Sequence, residues 1–153
     1  MKKSLLALAV AIPALLPFSA EARPVRITTT LKAYGGDGAY LAIYLTDKAG
    51  KIHKTIHVSG GKAKYHKNLS AWNRQTGGRI DGTTGASVGA GRTLRVSTDI
   101  ADALIEAGFE IRVDAAAEDM TDSPADARIP VSASSVGKPV SGRRYVQSLA
   151  IDM

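Results

Sequence analysis

The sequence has no cysteine, few aromatic residues (5%) and only three histidines. Without thiols the protein can form no disulfide, thiolate metal site or iron–sulfur cluster. His53 and His57 fall on one predicted strand, about 13 Å apart at 3.3 Å per residue, and therefore cannot share a metal ion. We interpret these two residues and His66 as exposed strand histidines and expect neither a metal site nor a catalytic residue in this chain.

Long apolar runs are also absent, except near the N-terminus. Two lysines at positions 2 and 3 precede an apolar run at 5–18, which two prolines interrupt and which ends before Ala20-Glu21-Ala22. A spanning helix needs about 20 apolar residues, whereas a short run followed by small residues is typical of a secretory signal. We predict a cleaved signal peptide at residues 1–22, a mature single domain at 23–153 and a periplasmic location.

Charge is divided unevenly along the chain, whose formal net charge is +6. Residues 51–95 contain nine basic residues and a single acidic one, Asp81, whereas residues 99–126 contain nine acidic residues and a single basic one, Arg112. The basic half indicates either an anionic partner or a solvated surface, and export argues against nucleic acid. Within this segment, we interpret the stretch 114–126 as a solvated loop, with weak calcium binding as the alternative; its acidic residues are Asp114, Glu118, Asp119, Asp122 and Asp126.

Most of the remaining signal is an alternation of apolar and polar residues, which predicts half-buried strands. Seven such strands are predicted, at 25–31, 41–45, 52–58, 94–98, 109–113, 129–132 and 145–151. A helical turn is expected at 68–73, and helical spacing predicts a short helix at 99–107. This pattern favours an all-β, antiparallel immunoglobulin-like sandwich with one short helix. Its predicted core includes Leu31, Leu41, Ile43, Leu45, Ile56, Val96, Ile111 and Val113.

A glycine-rich stretch at 79–89 separates the two groups of strands. Its small side chains bury too little apolar surface to build a core, and a long loop of this kind commonly has a function or is disordered. It contains the pattern Asp81-x-x-Thr84-Gly85-Ala86-Ser87. Because no histidine base lies near Ser87 in the sequence, we do not expect the chain to be a hydrolase.

Several segments together resemble a known family. From about residue 26 to the C-terminus, the chain is similar to the exported domain of unknown function family 2271. The resemblance rests on residues 40–44, 54–58, 69–72, 81–87 and 108–113. It implies an immunoglobulin-like sandwich associated with periplasmic FMN transferases and with PepSY-type membrane redox proteins.

The same resemblance implies a modification site. Such transferases attach FMN through a phosphoester to the last hydroxyl of Asp-x-x-(Ser/Thr)-Gly-Ala-(Ser/Thr), which is Ser87 in this chain. The implied cofactor-binding residues are Asp81, Thr84, Gly85 and Ala86. Arg79 and Arg92 lie close enough in the sequence to pair with the tethered phosphate. Related acceptors usually end in threonine, so the serine here is a departure.

Two functions therefore remain open. In the first, the protein bears a flavin and acts as an electron carrier of a membrane redox system or as an accessory to it. In the second, it is an unmodified sandwich that docks a membrane redox or transport partner. In neither case is it itself an enzyme, since the base and metal for flavin attachment would belong to the transferase.

Overall fold

The computed structural model describes residues 21–153, so the predicted signal peptide lies outside the described part except for its last two residues. The strands of this part are β1 (Ala22–Leu31), β2 (Tyr40–Thr46), β3 (Ile52–Ser59), β4 (Thr83–Gly85), β5 (Thr93–Ala101), β6 (Glu110–Ala116), β7 (Ser123–Pro130) and β8 (Val146–Asp152). It also contains one α-helix, α1 (Ser70–Thr76), and 3₁₀ turns at Ala63–Asn68, Asp102–Leu104 and Ala133–Ser135. None of these helices is long and apolar enough to cross a bilayer.

Two sheets pack face to face, which confirms the predicted all-β sandwich. One sheet has the strand order β5-β1-β8, and the other has the order β4-β3-β2-β6-β7. All neighbouring strands are antiparallel except β3 and β4, which run parallel. The short strand β4 belongs to the glycine-rich stretch, where the sequence predicted a loop without any strand.

The core between the sheets follows from the alternation in the strands. In β1, Val25, Ile27 and Leu31 point inward and are fully buried, as is the polar Thr29 between the last two. The residues at 26, 28 and 30 lie on the other face and are exposed or half-buried. The predicted core residues are all buried apart from Val96, which is half-buried and packs against the edge of the core. A period of two is sufficient to orient the side chains of strands such as β1, which have one solvated face.

A third, helical layer covers the outer face of the five-stranded sheet. Strand β2 is buried on both faces, and its outward-facing Ala42 and Tyr44 pack against Leu69 and Trp72. This layer consists of the 3₁₀ turn Ala63–Asn68 and helix α1, which confirms the helical turn expected at 68–73. The sandwich therefore has a second, smaller hydrophobic cluster outside its main core.

Helix α1 begins and ends with identifiable partners for its backbone. At its C-terminus, Gly77 adopts the left-handed conformation (φ 63°) and donates to the Asn73 carbonyl, as glycine does at many helix ends. At its N-terminus no local side chain accepts from the free N–H groups. Instead, the Trp72 N–H donates to Oδ2 of Asp114 at 2.8 Å, so a carboxylate from β6 acts as the cap.

The Asp114 carboxylate is fully buried and joins three elements. Its Oδ1 accepts from the Tyr44 hydroxyl of β2 and from the Ala125 N–H of β7, both at 2.7 Å. The Trp72 ring is fixed in turn by a 2.9 Å bond from Nε1 to Oγ1 of Thr55. Burial and the neighbouring carboxylate together raise the pKa of Tyr44, so the phenol keeps its proton and remains a donor.

A second buried carboxylate, Asp126, holds the segment before β8. It accepts from the hydroxyl of Ser123 (2.6 Å) and from the backbone N–H groups of Arg144, Tyr145 and Val146 (2.7–3.1 Å). The interpretation of the acidic stretch 114–126 as a solvated loop is therefore wrong for Asp114 and Asp126. Both are buried hydrogen-bond acceptors, whereas Glu118 and Asp119 are exposed.

Two secondary-structure predictions are also wrong. The helix predicted at 99–107 is absent, because β5 continues to Ala101, where it pairs with Ala22, and only a short 3₁₀ turn follows. The apolar residues Ile100 and Leu104 pack against the sandwich core without forming a helix. The strand predicted at 129–132 begins at Ser123, because pairing with β6 extends it toward the N-terminus. In both cases tertiary pairing overrides local propensity.

The buried Asp114 network yields a stability prediction. Asp114→Asn replaces one acceptor oxygen with an NH₂ group that faces N–H and O–H donors, so hydrogen bonds are lost while the shape is preserved. We expect the free energy of unfolding to fall by about 2–4 kcal/mol, measured by urea denaturation. The matched control is Asp119→Asn, the same change at an exposed site, which should cost less than about 0.5 kcal/mol. Equal effects of the two variants would contradict this role of Asp114.

Candidate functional site

The loop at residues 81–87, called the motif loop below, is fixed to the edge of the five-stranded sheet. Oδ1 of Asp81 accepts from the Thr55 N–H at 3.1 Å. Strand β4 then pairs in parallel with residues 57–59 of β3, and the Gly60 N–H donates to the Gly85 carbonyl at 2.8 Å. These contacts give the exposed loop a defined path along β3.

Gly82 is required for this path. A Cβ atom at position 82 would lie 2.6 Å from the Thr55 carbonyl oxygen and 2.5 Å from that of Ile56. Backbone atoms cannot yield as a flexible side chain can, so only glycine allows the loop to approach β3 this closely. Gly82, which occupies an unspecified position of the sequence pattern, is therefore required by the path of the loop independently of any ligand.

His57 lies under the motif loop and connects it to β3. Its Nδ1 is 2.7 Å from Oγ1 of Thr83, and its Nε2 is 3.1 Å from Oγ of Ser59. Oγ1 of Thr83 donates to the Ile56 carbonyl at 3.3 Å, so it accepts from Nδ1–H, and Nε2 accepts from the Ser59 hydroxyl. A Cβ at Gly85 would lie 3.3 Å from the ring, which shows how closely the loop covers it.

The interpretation of the histidines as exposed is thus wrong for two of the three. His57 and His66 are 6% and 8% exposed, and only His53 faces solvent. His66 Nε2–H donates to the Gly60 carbonyl at 2.9 Å, so this bond requires a proton on Nε2. Within residues 21–153, no group of three or more histidine, aspartate or glutamate side chains is arranged to hold a metal ion.

Ser87 ends the motif loop with an exposed side chain. The next residue, Val88, is buried and exchanges two backbone hydrogen bonds with Ala39, at 2.7 and 2.9 Å. Gly38 faces the hydroxyl directly, since a Cβ there would lie 2.8 Å from Oγ of Ser87. The hydroxyl is therefore held at a fixed place on the surface by a buried neighbour, with space left free by Gly38.

A cleft of about 450 Å³, called the Ser87 cleft below, opens beside this hydroxyl. Its volume lies within the range of about 300–1,000 Å³ that is usual for small-molecule sites. Four separate segments of the chain form it, and its lining residues are Asp37, Gly38, Tyr40, Lys62, Tyr65, Asn68, Ser87, Ala116, Ala117, Glu118, Asp119 and Met120. Ser87 is the one residue of the motif loop in this set.

The residues implied by the resemblance occupy different positions around this site. Asp81 and Gly85 contact β3 or His57, as described above. The side chains of Thr84 and Ala86 are exposed, and it is Thr83, not Thr84, whose hydroxyl bonds to the sheet.

Arg79 and Arg92, expected to pair with a tethered phosphate, are exposed and do not line the Ser87 cleft. The cation that does line it is Lys62. Lys62 and the tyrosines of the cleft are separated from Ser87 by more than 20 residues and carry no local motif, so the sequence alone does not predict their part in the site. The clustering of lysines around Tyr65 was the only available signal.

The environment of His57 predicts a pH dependence. Burial lowers the pKa of His57 below its ordinary value of 6.5, so the unfolded chain binds a proton at a higher pH than the folded chain does. The stability from neutral His57 is fully present above pH 6.5 and is lost as the pH falls below it. We expect the unfolding free energy, measured in urea, to decrease between pH 7.5 and 5.5, and His57→Gln to flatten this decrease.

His53→Gln provides the control, because His53 lies on the same strand but is exposed. It should retain the decrease found in the wild-type protein. A His57→Gln variant with the full wild-type pH dependence would show that another group is responsible.

Comparison with known proteins identifies the family of the chain. No curated protein and no solved structure shows significant similarity to the chain. A family model described as "Predicted periplasmic protein (DUF2271)" matches residues 22–148, which include every strand except the last part of β8. The periplasmic location predicted from the N-terminal sequence is thereby confirmed. The chain therefore belongs to the DUF2271 family of predicted periplasmic proteins.

Proposed function

We propose that Ser87 is the acceptor of a covalently attached FMN, and that the sandwich carries this flavin as an electron-transfer accessory of a membrane redox system. The observation that carries the proposal is the position of Ser87. It is the exposed last residue of a flavinylation-like motif, and it is also the residue through which the motif loop reaches the Ser87 cleft. A periplasmic FMN transferase and a PepSY-type membrane redox protein are the proposed partners.

The attachment is a phosphoryl transfer from FAD. The Ser87 oxygen forms a bond to the phosphorus of the FMN half, the phosphoanhydride bond breaks, and AMP leaves. The hydroxyl proton passes to a base of the transferase, which also provides the metal ion that stabilises the charge. This division of roles fits the Ser87 environment, because the buried His57 under the loop bonds to Thr83 and Ser59 and not to Ser87.

The residues around Ser87 are compatible with a covalently attached FMN. Gly38, Gly85 and Ala86 present almost no side chain around the hydroxyl, so the loop can enter the narrow site of another enzyme. Lys62 provides a cation beside the same cleft, where it can pair with a phosphate. When bound, FMN supplies one- or two-electron transfer, whereas the chain supplies a rigid holder whose loop is fixed by Asp81 and Val88.

Coexpression with a periplasmic FMN transferase tests the proposal. Wild-type protein should be yellow, and after denaturation its intact mass should be raised by one FMN less one water. Ser87→Ala should remove the increment, and Ser87→Thr should retain it, because threonine supplies the same hydroxyl. Unfolding temperatures should be nearly unchanged, since an exposed loop hydroxyl contributes little to stability.

Ser97→Ala is the matched control, because it removes an exposed serine hydroxyl from β5, outside the motif, and should leave the increment in place. Flavin that separates on denaturation, or an unmodified chain beside an active transferase, would contradict the proposal. The second outcome would favour an unmodified sandwich that docks a membrane redox or transport partner.

A further inference from the structure

The Ser87 cleft has a floor of small residues and a wall of aromatic rings. Ala116 and Ala117, at the end of β6, are buried and line its base. Tyr40 and Tyr65 form one side, with ring centroids 5.7 Å apart and planes at 88°. Such a floor admits a flat ring, and the half-buried tyrosines leave aromatic surface free to contact it.

The aromatic wall is rigid before any ligand binds. The Tyr40 ring lies so close to Gly60 that a Cβ atom at Gly60 would overlap it, and Gly60 has a positive φ of 111°. The Tyr40 hydroxyl accepts from the Lys62 N–H at 3.1 Å, and His66 packs on the ring with centroids 5.9 Å apart. Because Tyr40 is already ordered, a ligand that stacks on it loses little additional conformational entropy in the protein.

Charges of both signs surround the cleft. The ammonium groups of Lys62, which lines it, and of the neighbouring Lys64 lie 5.9 and 4.9 Å from the centre of the Tyr65 ring. The lining also includes Asp37, Glu118 and Asp119. An anionic group on a ligand would therefore be favoured beside the lysines at Tyr65 and disfavoured beside the carboxylates, whose oxygens can instead accept from ring N–H groups.

From this geometry we infer that the Ser87 cleft is a binding site for a planar, anionic heteroaromatic ligand. For a chain flavinylated at Ser87, the cleft holds the ring against Tyr40 and Tyr65 and limits its contact with solvent. This second statement rests on the proposed function, whereas the first concerns the cleft alone. FMN tests both statements, because it can be added as a free ligand or attached covalently to the chain.

The first experiment uses the unmodified chain, expressed without a transferase, and free FMN. Binding is measured by isothermal titration calorimetry for the wild type, Ser97→Ala and Tyr65→Leu. We expect Ser97→Ala, an exposed site on β5 outside the cleft, to bind as the wild type does. Tyr65→Leu should bind about tenfold more weakly, because leucine removes the aromatic contact and keeps apolar bulk. Tyr65→Phe, which restores a ring, should bind within about threefold of the wild type.

The anionic group is tested with riboflavin, which has the same ring without the phosphate. Wild type should bind riboflavin more weakly than FMN, and Lys62→Gln should reduce this difference. Arg95→Gln removes an exposed cation from β5 in the other sheet and should leave it unchanged. Absence of FMN binding to a wild-type chain with normal circular dichroism would overturn the inference, and so would equal binding by wild type and Tyr65→Leu.

The second experiment uses the flavinylated protein and measures quenching of flavin fluorescence by iodide at constant ionic strength. The quenching constant should be several-fold smaller in the folded protein than after denaturation, and Tyr65→Leu should raise it at unchanged covalent occupancy. An adduct that is as accessible when folded as when denatured would overturn the cleft inference and leave the proposed function intact. Binding of free FMN by a chain that no transferase modifies would support the cleft inference and contradict the proposed function.

Discussion

The buried carboxylate of Asp114 is the constraint on which the candidate site depends. It connects β6 to β2 through Tyr44, to β7 through the Ala125 N–H and to helix α1 through the Trp72 N–H. An anion in a fully buried position is tolerated only when each oxygen is satisfied by donors. The α1 N-terminus meets part of that requirement, and this fixes the helical layer on the five-stranded sheet.

The helical layer in turn determines the shape of the Ser87 cleft. The 3₁₀ turn that precedes α1 carries Lys62 at its start and Tyr65 within it, and its His66 contacts the rings of both Tyr40 and Trp72. The motif loop reaches the cleft from the other direction, along the edge of β3. The proposed acceptor and the aromatic wall are therefore placed by two sets of contacts that share Thr55 and Gly60, each of which bonds both to the motif loop and to the helical layer.

Sequence patterns predicted the sandwich because strands such as β1 and β8 alternate between a buried and a more exposed face. They failed where burial depends on distant partners. Nothing local distinguishes Asp114 from the exposed Asp119, since only the fold brings Trp72 and Tyr44 to the former. Likewise, the helical spacing at residues 99–107 correctly indicates that apolar side chains of this segment pack on the core. The backbone nevertheless stays extended, because Ala101 pairs with Ala22.

The motif loop was identified from the sequence because its residues are contiguous, but its surroundings were not. Arg79 and Arg92 were selected as phosphate partners by their proximity in sequence, and the cation in the cleft is Lys62 instead. Thr84 was selected as part of the resembled pattern, and the hydroxyl that bonds to His57 is that of Thr83. Contacts between separate segments follow from strand register, which periodicity alone does not reveal.

The most direct test of the account is to locate the flavin within the chain. Trypsin cleaves after Arg79 and Arg92 and releases residues 80–92, a peptide with three hydroxyl side chains, those of Thr83, Thr84 and Ser87. Fragmentation of this peptide, from protein coexpressed with an FMN transferase, should place the whole increment on Ser87. An increment on either threonine, or on any other peptide, would contradict the assignment of Ser87 as the acceptor.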